Sequence, residues 1–135
     1  MIYPRTTRYI SAFLRRYWSQ CQAWPDENLN AWVQWFVNND RCLMVTDRRR
    51  ILSVTLFRCV HKAEQVMDPY LDTGGPVAYI DLTVARETRG MKACYNLLRD
   101  KVGKFVTHIC WIRAKHGNRF SIVTLNSAAR HLSYG

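Results

Sequence analysis

The segment from Val77 to Ile112 restricts the possible folds more than any other part of the chain. Val77 to Val84 is rich in β-branched and apolar residues and reads as a strand. From Arg89 to Val102 the apolar residues Met91, Cys94, Leu98 and Val102 recur on one side of a helix, and Gly103 supplies its stop. Phe105 to Ile112 returns to strand character. A strand, a helix and a second strand with short joints make a βαβ unit. The two strands then run parallel, and the crossover is right-handed.

The residues before this unit supply an antiparallel complement. Strands are expected near Cys42 to Thr46 and Ile51 to Val60, joined by Asp47-Arg48-Arg49-Arg50, a connection short enough for a hairpin. Together with the βαβ unit they give a mixed sheet and an α+β fold. Two helices come first. Thr6 or Thr7 is placed to cap one, in which Ile10, Phe13, Leu14, Tyr17 and Trp18 recur at helical spacing while Arg15 and Arg16 face outward. Pro25, Asp26 and Glu27 open the other, because proline suits a first turn and carboxylates suit the positive end of the helix dipole. Leu29, Trp32, Val33 and Phe36 form its buried stripe, and Asn38, Asn39 and Asp40 end it. His61 to Pro76 carries Asp68-Pro69 and Asp72-Thr73-Gly74-Gly75-Pro76, strong turn signals that predict a long loop. Beyond the βαβ unit, Arg119 to Leu125 alternates as a strand, with Gly117-Asn118 as a hairpin turn. A short helix capped by Asn118 is the alternative, but Ile122, Val123 and Thr124 favour the strand. With 135 residues, the chain is expected to be one domain, 1–135.

Hydrophobic residues make up 48% of the chain, enough for a real core. No apolar run approaches the ~18 residues that span a bilayer. Arg5, Arg8, Arg15 and Arg16 interrupt the first stretch, so a secretory signal is not expected; the reading is a soluble, cytoplasmic protein with no membrane partner. The five cysteines are scattered, with no CxxC and no zinc-type pairing with His61, His108, His116 or His131. Cys59 and His61 share a strand face, but two ligands do not make a site, so no metal is expected and the thiols read as free and mostly buried. The net charge is +10, with nine basic against four acidic residues up to position 60 and eleven against six after it. A surplus spread in this way attracts polyanions, whether nucleic acid, an acidic protein partner or a phosphorylated cofactor.

The order of elements, with Tyr79-Ile80-Asp81-Leu82-Thr83-Val84-Ala85-Arg86-Glu87-Thr88-Arg89-Gly90-Met91-Lys92-Ala93-Cys94 followed by Leu97-Leu98, resembles the GNAT superfamily of N-acyltransferases. The resemblance covers about residues 40 to 115; the first two helices are consistent with it. It implies that helix-opening amides grip the pyrophosphate of acetyl-coenzyme A, a use of unpartnered N–H groups and the helix dipole. Carried over, Leu82, Thr83 and Val84 lie along the pantetheine arm. Arg89, Gly90, Met91, Lys92, Ala93 and Cys94 wrap the pyrophosphate. The sequence departs from the family pattern where Lys92 and Cys94 replace two glycines and Arg86 replaces a turn proline. Glycine there lets backbone approach phosphate oxygens, and a Cβ obstructs that approach; Lys92, Arg86 and Arg89 compensate with charge.

Acyl transfer to an amine needs a base and commonly a hydroxyl acid for the departing thiolate. Asp81 is the best-placed carboxylate, although the family's acidic residue there is often structural. The family's tyrosine acid usually follows the last parallel strand; between Cys110 and Leu132 there is none, which leaves Tyr134 near the terminus. His116 is a further acid–base candidate. Small degenerate relatives occur among phage-encoded proteins, including virion components, so a chemically inactive binding protein, in the virion if phage-encoded, is the alternative. A basic nucleic-acid-binding module is the third reading.

Tyr17, Trp18, Trp24, Trp32 and Trp35 crowd the first two helices near Arg15 and Arg16; core packing is the favoured reading over base stacking. Trp35 lies off the main stripe, which leaves a partner surface as a second reading for it. Arg48-Arg49-Arg50 reads as a solvated turn, with phosphate contact as its rival. Ser11, Ser121 and Ser127 lack a nucleophile-elbow context, which argues against a hydrolase.

Overall fold

Helix α1 (Arg5–Tyr17) starts directly after Pro4, whose fixed φ of −56° ends the extended lead-in. Neither threonine caps it, contrary to expectation. Thr6 and Thr7 lie inside the first turn, and the buried Thr7 hydroxyl donates to Gln34 Oε1 at 2.5 Å instead. Helix α2 (Asp26–Asn38) follows Pro25 with Asp26 and Glu27 in its first turn, as the sequence predicts. The computed structural model of the protein describes residues 2–113 and 119–125.

The described residues form three α-helices and a five-stranded mixed sheet in the order β1-β2-β3-β4-β5. Strands β1 (Cys42–Asp47) and β2 (Arg50–Val60) pair antiparallel, and β2 pairs antiparallel with β3 (Val77–Ala85). Helix α3 (Thr88–Val102) then crosses over to β4 (His108–Arg113), which runs parallel to β3. Strand β5 (Arg119–Thr124) pairs antiparallel with β4, so the strand reading of this segment holds. Its expected turn at Gly117-Asn118 lies outside the described residues.

Each sheet face is covered differently. Ile10 and Leu14 of α1 and Leu29, Val33 and Phe36 of α2 pack on Val54, Leu56 and Val84. On the opposite face Tyr95, Leu98 and Val102 of α3 pack on Phe57, Cys59, Ala78 and Ile109. Fully buried side chains of this size stabilise by roughly 1.5–3 kcal/mol each, so the helix layers on both faces contribute to holding the fold. The predicted loop from His61 to Pro76 contains a short 3-10 helix, Ala63–Met67, whose Val66 closes a small third cluster with Val60, Val77, Tyr79 and Cys110.

Two boundaries are tighter than expected. The β1–β2 connection is a two-residue turn, because Asp47 pairs with Arg50 and only Arg48 and Arg49 remain between them. Their φ angles are +50° and +67°, the left-handed region that a twisted hairpin turn of this length demands. The last parallel strand begins at His108 rather than Phe105; Phe105 and Val106 instead bond back to Val102 and end the helix.

Candidate functional site

Strands β3 and β4 part company soon after they begin. They pair only at Val77–His108, Ala78–Ile109 and Tyr79–Cys110. Beyond that point β3 continues to Ala85 alongside β2, while β4 continues to Arg113 alongside β5. Among the described residues no strand pairs with the β4-facing edge of β3 from Ile80 to Ala85. The sheet therefore forks, and backbone groups along Leu82, Thr83 and Val84 face the opening.

A bulge sharpens the fork. Leu56 pairs with Leu82 and the next residue, Phe57, pairs with Ile80, so Asp81 is the extra residue on β3. It reverses which face the later residues address: Ile80 packs with the α3 layer, whereas Leu82 and Val84 pack with α1 and α2.

Helix α3 opens at the end of β3 and carries most of the candidate cofactor-binding residues. Its N-cap is Glu87, whose side chain makes no capping bond, and the Gly90 N–H donates to Glu87 O at 2.9 Å. Gly90 is pressed onto β2: a Cβ there would stand 3.0 Å from Ser53 Cβ. Ser53 Oγ donates to Gly90 O at 2.9 Å and sits 3.0 Å from Cys94 Sγ, so Gly90 and Cys94 face the sheet together. Met91 and Cys94 line the space beneath the helix with Thr55, Ile80, Thr83 and Ile109, and its free volume is about 10 Å³, room for one water at most. Ala93 is half-buried and Lys92 is exposed. Burial pushes the Cys94 thiol pKa up, and the Ser53 hydroxyl works against that shift.

Arg89 is already partnered. It reaches Glu87 Oε2 at 2.8 Å and Asp47 Oδ2 at 2.9 Å. The Glu87 bond, then the Asp47 bond, raise the Arg89 pKa, and Arg89 in turn holds the Glu87 carboxyl below its ordinary value. Arg86 lies with its guanidinium carbon 5.5 Å from the Tyr17 ring centre.

Asp81 is not a free carboxylate. Arg58, 4% exposed, donates from Nε to Oδ2 at 2.9 Å and from Nη2 to Oδ1 at 3.0 Å, a bidentate ion pair. Arg58 also donates to the carbonyls of Val66, Asp68 and Leu71, tying the 61–76 loop to the sheet. Burial raises the Asp81 carboxyl pKa and the Arg58 bonds pull against it. Sequence reasoning singled out Asp81 but missed Arg58; the available signal was a lone charge inside an otherwise apolar strand. Tyr134 and His116 lie outside the described residues.

The remaining constellations resolve into packing. Trp18, Trp24 and Trp32 contact one another with ring centres 5.3–5.7 Å apart. Trp35 meets Phe36 edge-on and packs at a tilt against Tyr70 of the loop, so its off-stripe position serves a contact within the chain. His61 Nδ1 lies 2.8 Å from Thr73 Oγ1, and Cys59 is a free, buried thiol. Among the described residues no group of three or more His, Cys, Asp or Glu could hold a metal ion, and no helix is long and apolar enough to cross a membrane. Searches against protein-family models and against characterised proteins find no match to this chain.

Proposed function

We propose that the chain is a GNAT-fold protein whose forked sheet and α3 N-terminus receive acetyl-coenzyme A or a related acyl-coenzyme A, in the service of acyl transfer to an amine. One observation carries the reading: the parallel strands β3 and β4 separate after Tyr79–Cys110 and leave the Leu82–Val84 backbone edge without a strand partner. An extended amide-bearing arm is the kind of ligand that such an edge can hydrogen-bond. Support for the phosphate end comes from the α3 opening, where no side chain caps the first amides and Arg86, Arg89 and the exposed Lys92 stand nearby. The space under α3 is too small for the arm, so it would run along the strand edge.

When bound, the thioester supplies an activated acyl carbon. The chain must supply a proton acceptor for the attacking amine and a proton for the departing thiolate. Asp81, with both oxygens held by Arg58, is a poor acceptor. That observation favours a second reading, a GNAT-like protein that binds without turnover and works through a protein partner, as a phage virion component would.

Calorimetric titration with acetyl-coenzyme A at moderate salt separates the possibilities. Saturable binding that weakens about threefold to tenfold in Lys92→Glu is expected from one exposed charge reversal beside the pyrophosphate. No binding by the unaltered protein would remove the cofactor reading, and full binding by the variant would remove the pyrophosphate placement. Binding without thiol release over a panel of amines selects the second reading.

A further inference from the structure

The end of the molecule where α1 stops, β1 turns into β2 and β3 joins α3 gathers six arginines: Arg16, Arg48, Arg49, Arg50, Arg86 and Arg89. Their proximity is fixed by contacts. Arg89 bonds Asp47 at the base of the hairpin turn, and the Arg86 N–H donates to Leu52 O at 2.9 Å. Arg16 and Arg86 both lie over the Tyr17 ring, 5.4 and 5.5 Å from its centre. Two carboxylates stand among them, Asp47 and Glu87, and Arg89 occupies both. Among the described residues the other five arginines form no ion pair.

The turn itself is unusual. A two-residue hairpin turn with both φ angles positive favours Asn-Gly, because a Cβ is strained in the left-handed region. Here both positions carry arginine, at +50° and +67°. Fold stability does not select that choice. A residue held in strain points to a use that outweighs it. Both side chains are exposed at the tip of the hairpin, beside Arg50.

We propose that this arginine-rich end binds the phosphate backbone of a nucleic acid, with Arg48 and Arg49 as contacts maintained at the expense of turn geometry. Guanidinium groups spaced over a turn, a helix end and a strand–helix joint suit successive phosphates, which present a repeated charge rather than a single pocket ligand. The proposal goes beyond the cofactor reading and does not rest on it.

The test replaces Arg48-Arg49 by Asn-Gly in the full chain. Fluorescence anisotropy with a 20-mer duplex and a 20-mer single strand is measured over a salt series, beside thermal unfolding. The unaltered protein should bind with an affinity that falls steeply with salt. The variant should bind duplex roughly tenfold more weakly near 100 mM salt, with its log–log salt slope flatter by about 1.8 (about 1.4 for the single strand). It should also unfold roughly 2–6 °C higher, because the turn is relieved. Lys104→Gln, beyond the far end of α3, should change neither. Absence of salt-dependent binding, or a variant that binds like the parent, overturns the proposal. Equally tight binding of polyglutamate overturns it in favour of an acidic protein. Acetyl-coenzyme A binding unchanged in Arg48→Asn/Arg49→Gly keeps the two readings separate.

Discussion

Replacing Arg58 by Met should nearly unfold the protein, and the loss should depend on pH. Arg58 is 4% exposed and donates to both oxygens of Asp81 and to the carbonyls of Val66, Asp68 and Leu71. Methionine fills similar volume but leaves a buried carboxylate without its partner, a loss of about 3–5 kcal/mol. The Val66 carbonyl, bonded to Arg58 in a buried setting, adds about 1 kcal/mol when orphaned. The total of about 4–6 kcal/mol is a large share of the ~5–15 kcal/mol that holds a domain of this size. The pH dependence follows from Asp81. Burial already raises its carboxyl pKa in the fold, and removing Arg58 raises it further. A raised folded pKa favours the native state at low pH, and that contribution fades as pH rises through the raised value. The variant should therefore be closer to its parent at pH 4 than at pH 8. Urea denaturation at both values measures this. Arg58→Met/Asp81→Leu should recover to within ~2 kcal/mol of the parent, since no charge is left buried. A single variant costing under ~1 kcal/mol, or a double variant no better than the single, would refute the argument that Asp81 serves the fold through Arg58.

Two further outcomes follow from the loop that Arg58 anchors. Asp72 bonds Arg41 at 2.6 Å; burial acts to raise its carboxyl pKa, but Arg41 and the N–H groups of Cys59 and Gly74 outweigh burial and hold it below its ordinary value. Its contribution to stability is full above its ordinary pKa and is lost as pH falls through the depressed value, so Asp72→Asn should flatten the acid limb of stability measured by denaturant titration from pH 6 to pH 2.5. Gly75 is buried, and a Cβ there would fall on the Val60 carbonyl and 2.6 Å from His61 N, both backbone; Gly75→Ala should cost roughly 1–3 kcal/mol, read as a lowered thermal midpoint, whereas an unchanged midpoint would show that the loop can move away.

Period and turn chemistry made the larger architecture readable. Met91, Cys94, Leu98 and Val102 do share the sheet-facing side of α3, or its margin, and β3 and β4 are parallel as the βαβ order predicts. What escaped were the places where a local rule gives way. The hairpin was drawn two residues too long because nothing in Arg48-Arg49 signals positive φ; standard turn chemistry asks for Asn-Gly. Asp81 stood as the best-placed carboxylate, with a structural role as its rival; which of the two applies is decided by Arg58, 23 positions away on β2, a partner that local sequence does not mark. The contact of Trp35 with Tyr70 was not legible, because Tyr70 belongs to a loop with no periodicity. For Asp81 and Trp35 the deciding contact is long-range, while the sequence signal is local; for the turn it is a backbone conformation that its residue types do not favour.

The same distinction changes the meaning of the missing glycines. From the sequence, Lys92 and Cys94 look equivalent, two Cβ atoms in the way of a phosphate. In the fold they are not. Cys94 sits one turn after Gly90 on the side facing β2, with its thiol 3.0 Å from Ser53 Oγ, so it points away from any ligand above the helix opening. Ser53 binds both turns, through Gly90 O and Cys94 Sγ, and this clamp seats the helix end on the sheet. A cysteine there strengthens the seating that the glycine at 90 permits. Lys92, exposed on the other side, is the one substitution that faces solvent, and it brings a positive charge with it. Of the two added Cβ atoms, only that of Lys92 stands on the solvent side of the helix opening. The Lys92 Cβ stays fixed, as for any residue but glycine, but the stem beyond it can turn aside and keep the ammonium group within reach of phosphate oxygens. On the proposed cofactor reading, loss of glycine from the motif therefore weakens anion binding at α3 without removing it, as long as the helix end stays seated on β2.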